Sequence, residues 1–80
     1  MAIAGLLVRV LSGQAEEVEA AIGAMPEMTT YGVHHDNHLV VVADAPHEKM
    51  EILFRQVRDV PGVLTCAVTS MTLEDELFPE

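Results

Sequence analysis

Four histidines and a single cysteine are the residues of this chain best suited to hold a metal ion or move a proton. His34, His35 and His38 lie close together, His47 follows, and Cys66 stands far downstream. Imidazole nitrogen and thiolate sulfur are ordinary zinc ligands, but a site needs three or four of them to converge. Adjacent residues on a strand point to opposite faces, so His34 and His35 diverge. His34 and His38 share parity, yet a turn interrupts them. The histidines therefore read as solvated side chains around a loop, and no metal is expected. A lone cysteine cannot close a disulfide within the chain, and Cys66 reads as a small buried strand residue.

Other chemistry is equally sparse. The carboxylates are spread over helix starts and the C-terminal end, without a paired acid and base. The sequence has no Gly-rich phosphate loop, nucleophile elbow or Cys-x-x-Cys. No catalytic residue and no cofactor is expected. The chain reads as a binding protein, not an enzyme.

Charge narrows the partners. Thirteen acidic residues against four basic ones give a net charge of −9 over 80 residues. Phosphate backbones require cationic surface, so nucleic acid is disfavoured and a basic or metal-bearing partner is favoured. Half of the residues are apolar, enough for one small core without staples. No apolar run approaches the length of a membrane span, and no signal pattern opens the chain, so a cytoplasmic location is expected.

The elements that must position any site are marked by two similar boundaries. Met25-Pro26-Glu27-Met28 and Val60-Pro61-Gly62-Val63 each close a helix-like segment and open a strand-like one. Ile3 to Leu11 is β-branched and apolar and reads as a strand. Residues 14–25 read as a helix, with Ala15, Val18, Ile22 and Met25 on one stripe. Met28 to His35 and His38 to Asp44 form a hairpin around the turn pair Asp36-Asn37. Pro46 suits the first turn of a second helix, whose stripe is Met50, Leu53, Phe54 and Val57, with Ile52 left exposed. Val63 to Thr72 is the fourth strand. This is β-α-β-β-α-β, a split β-α-β sandwich of the α+β class. Residues 1–72 form one domain, and 73–80 form an acidic tail.

Right-handed crossovers place both helices on one face of an antiparallel sheet of order 4-1-3-2. The other face is open. Arg9 resists burial, so its parity, with Ile3 and Leu7, faces outward. Val40 and Val42 join it from the third strand, as do Thr65, Ala67 and Thr69 from the fourth. Leu64, Cys66 and Val68 read inward. Tyr31 and Val33 are assigned to the open face from the second strand. An exposed apolar patch of this kind marks a partner site, or a homodimer contact through the same sheet.

Four stretches in this order and spacing resemble the NapD family, the maturation chaperones of periplasmic nitrate reductase. They are Ile3-Ala-Gly-Leu-Leu-Val-Arg-Val10, Val18 to Pro26, Leu39-Val-Val-Val42, and Val57-Arg-Asp-Val-Pro-Gly-Val-Leu64. The resemblance runs from Ile3 to about Met71, and the last stretch is its most specific part. Glu27 departs from it, standing where a glycine often follows the first proline. The resemblance implies a ferredoxin-like fold and a cytoplasmic protein. It implies binding of the twin-arginine signal peptide of the nitrate reductase catalytic subunit, with export held back until the molybdenum cofactor is inserted. It places that binding on the open face, here Leu7, Arg9, Tyr31, Val33, Val40, Val42, Thr65, Ala67 and Thr69. Two other readings of the same fold are an ACT-like regulatory module for a small ligand and a metal-trafficking domain, the latter weakened by the lack of paired cysteines.

Overall fold

A computed structural model describes residues 2–34 and 37–73. Its elements are strand β1 (Ala2–Val10), helix α1 (Ala15–Gly23), strands β2 (Met28–His34) and β3 (His38–Ala45), helix α2 (Met50–Arg58) and strand β4 (Val63–Leu73). The four strands form one antiparallel sheet in the order β2-β3-β1-β4. The expected connectivity and strand order hold. Asp36 and residues 74–80 lie outside the described residues, as does His35.

The central strands carry the core. Ala2, Ala4, Leu6, Val8 and Val10 alternate along β1, and Leu39, Val41, Ala43 and Ala45 along β3; all are buried. Period-two alternation sends these side chains to one face. Val18 and Ile22 of α1, spaced by four, cover them, together with Met50, Leu53 and Val57 of α2. Ile52 falls off that stripe and is 56% exposed. The core is aliphatic, and among the described residues no polar or charged side chain is buried.

Helix boundaries follow local chemistry. Glu16 and Glu17 occupy the first turn of α1, where the positive end of the helix dipole favours carboxylates. The helix stops at Gly23, two residues short of the expected end, just ahead of Pro26. Pro46 lies outside the second helix, contrary to expectation. Its extended backbone leads into a 3-10 turn at His47–Lys49, and α2 starts at Met50. A proline with ψ of 145° cannot be a helical residue.

The second boundary turns on Gly62, at φ +99°. A Cβ there would stand 2.6 Å from Gln14 Oε1 and 2.9 Å from Val18 Cγ2. Both the left-handed backbone and the close approach of α1 require glycine. Its carbonyl accepts a hydrogen bond from the Leu11 N–H at 2.8 Å, which ties the end of α2 to the start of α1.

Candidate functional site: the uncovered face of the sheet

Cross-strand partners share a face, so the register sorts every strand residue. Arg9 stands opposite His38 on one side and Thr65 on the other. Leu7 stands between Val40 and Ala67, Gly5 between Val42 and Ser70, and Ile3 between Asp44 and Thr72. These four rows lie on the side away from the helices. Leu7, Val40 and Val42 are half-buried, whereas Arg9, Thr65 and Ala67 are exposed.

Register irregularities shape both edges. In β4, Thr69 is skipped between the pairs Leu6–Val68 and Gly5–Ser70. The Thr69 hydroxyl donates to the Gly5 carbonyl oxygen at 3.1 Å. A Cβ on Gly5 would meet Ser70 Oγ at 2.8 Å and Thr69 Oγ1 at 3.1 Å, so both hydroxyls crowd over the glycine on the open side. In β2, Tyr31 and Gly32 fall together between the pairs Thr30–Val41 and Val33–Leu39. Gly32 adopts φ +94° there. The Nε2 of His34 donates to the Tyr31 carbonyl oxygen at 3.2 Å, which holds the bulge.

The bulge and hairpin correct one assignment. Val33 pairs with Leu39, a buried core residue, and so belongs to the helix side, where it is 43% exposed at the sheet edge. The expected turn pair Asp36-Asn37 would set His35 opposite His38. Instead His34 pairs with His38, three residues separate them, and Asn37 takes φ 75°. A three-residue hairpin loop with a left-handed last residue is a standard solution. The one-residue difference inverts the parity of the end of β2. The bulge then inverts it again, so Tyr31 returns to the open side and is 60% exposed.

β4 needs a second correction. Leu64, read as inward, is 52% exposed, because the register shifts between Arg9 and Val10 and leaves it without a partner. Val68 does pair with Leu6 on the helix side, yet at the sheet edge it stays exposed. Cys66 faces the helices opposite Val8 and is partly buried. Burial pushes its thiol up from the ordinary value, partly opposed by the Arg58 guanidinium.

The open face also holds residues not assigned to it from the sequence. Thr29 is opposite Val42, His34 opposite His38, and Ser70 and Thr72 join after the β4 bulge. Thr29 shares strand parity with Tyr31, and counting the hairpin loop as three residues finds His34. Along the strands, Leu7, Val40, Val42 and Ala67 stand in the middle rows, and Arg9 and Asp44 stand in the two end rows. Among the described residues no group of three or more His, Cys, Asp and Glu side chains could hold a metal ion. None of their helices is long and apolar enough to cross a membrane.

A family model described as NapD protein matches residues 1–75. The chain belongs to the NapD family. Its fold is similar to that of the E. coli Tat proofreading chaperone protein NapD in solution, with a TM-score of 0.77 and 22% identity over 98% of this chain and 84% of that one. It is also similar to the crystal structure of a hypothetical protein from Pyrococcus horikoshii, with a TM-score of 0.80 and 21% identity over 91% and 90% of the two chains. No curated protein matches. NapD membership and the shared ferredoxin-like fold account for the two helices on one side and the uncovered sheet on the other.

Proposed function

We propose that this NapD-family chain is a cytoplasmic chaperone that binds the twin-arginine signal peptide of a periplasmic nitrate reductase catalytic subunit. Holding that peptide delays export until the cofactor has been inserted. The protein acts by binding, and no step of chemistry is assigned to it.

The family match over residues 1–75 carries the reading. The open face supports it. A twin-arginine signal joins a basic head to an apolar body. Leu7, Val40, Val42, Ala67 and Tyr31 offer apolar surface to the body, and a chain of net charge −9 attracts the head. Covering a few such side chains contributes on the order of 1.5–3 kcal/mol each, before the cost of ordering the peptide.

Calorimetric titration with the reductase signal peptide tests the proposal. Saturable one-to-one binding tighter than about 100 μM is expected. Absence of binding in that range refutes it. Sedimentation of the free chain in parallel reports whether the same face closes a homodimer that the peptide must displace.

A further inference from the structure

We infer that the open face reads its peptide in one direction, with the basic head at the Asp44 end and the apolar body running toward Arg9, His38 and His34. The inference rests on the signal-peptide reading above and adds orientation and register to it.

The charges on this face are segregated. Asp44, exposed at one end beside Ile3 and Thr72, is its described carboxylate. Glu27 lies next to Asp44, whose N–H donates to the Glu27 carbonyl oxygen at 2.9 Å, and its carboxylate is engaged by Lys49 Nζ at 3.7 Å; the other described carboxylates belong to the helices and their flanks. At the opposite end Arg9, His38 and His34 form one continuous cross-strand row. Besides Arg9, the basic residues Lys49, Arg55 and Arg58 lie on α2 or just before it. Between the two ends lie the rows that carry Leu7, Val40, Ala67 and Val42.

Two arginines at the Asp44 end meet opposite charge; at the Arg9 end they meet like charge. From Ile3 to Arg9 the strand spans about 20 Å. A helical peptide covers that distance with about 13 residues. Bound as a helix in this direction, it also sets its negative carbonyl end beside Arg9.

Paramagnetic labelling tests the direction. The 15N-labelled full chain is titrated with signal peptide carrying a nitroxide either ahead of the arginines or after the apolar stretch. The first label should broaden the amide signals of Ile3, Ala43 and Thr72, and the second those of Val8, Leu39 and Thr65. The reverse pattern, or equal broadening of both ends by each label, overturns the direction while leaving the signal-peptide reading intact. A peptide that does not bind overturns both. Charge exchange gives an independent readout. Asp44→Lys should weaken binding at least threefold, and this loss should vanish when both peptide arginines are replaced by glutamine. Arg9→Glu should affect the two peptides equally. If the peptide arginines couple to Arg9 and not to Asp44, the direction is refuted.

Discussion

Val42 lies directly opposite Gly5 in the central strand pair, on the side of the sheet that no helix covers. A half-buried valine facing a residue without a side chain is open to a ligand, yet it is not part of the core. Val42→Glu should therefore leave the fold intact, as read by circular dichroism, and weaken peptide binding at least tenfold. The introduced carboxylate loses its hydration under an apolar peptide. Unchanged affinity would remove the sheet face from the binding model.

The Pro-Gly boundary predicts a loss of stability without a loss of site. Gly62→Ala puts a Cβ on a left-handed backbone and drives it against Val18, a buried residue of α1. The cost should exceed about 1 kcal/mol. A denaturant midpoint equal to wild type would show that α1 can shift to accept the methyl group.

Two aliphatic residues of similar size should respond very differently to truncation. Leu39 is fully buried in the central strand, and Ile52 is exposed on α2. Leu39→Ala should cost about 2–5 kcal/mol through lost burial and a cavity. Ile52→Ala should stay within about 0.5 kcal/mol. Comparable losses for the two would mean that Ile52 is covered in solution, and sedimentation of the variant would then be the measurement to make.

Cys66 gives a pH dependence of known sign. Its thiol is pushed up in the folded chain, so the folded state holds the proton more tightly than the unfolded state. The resulting stabilisation is present in full below the unfolded thiol value and is lost as pH rises through the folded one. Unfolding free energy should fall above about pH 8.5 by more in the wild type than in Cys66→Ala. Alkylation by iodoacetamide at neutral pH should be much slower for the native than for the denatured chain. Equal rates would contradict the burial of the thiol.

Most of the architecture was legible because the central strands are patterned twice. In β1 Arg9 identifies the outer face, and in β3, where both parities are apolar, the shared parity of His38 and Asp44 with Val40 and Val42 does so. The edge strands lack that redundancy. In β2 the face depends on how many residues the hairpin loop contains and on where the strand bulges. Neither is written in hydrophobicity, so strand parity alone puts Val33 on the side opposite to the one its pairing with Leu39 gives it. In β4 both bulges follow from pairing with β1, a long-range event that a local pattern does not record; Leu64 is the residue it displaced. The proposal that the open face binds a peptide rests on family resemblance and exposed apolar character, whereas the separation of Arg9 from Asp44 along it is visible only once register aligns Arg9 with His38 and Ile3 with Asp44.

The one-sided core has a thermodynamic consequence. A sheet covered by helices on a single side draws its stability from half of its possible contacts. Whatever binds the other side, and not the unfolded chain, adds its own occupancy to the unfolding free energy. At a free concentration one hundred times the dissociation constant that increment is about 2.7 kcal/mol. Occupancy of the open face should thus register as a higher melting temperature, read without any label on the ligand.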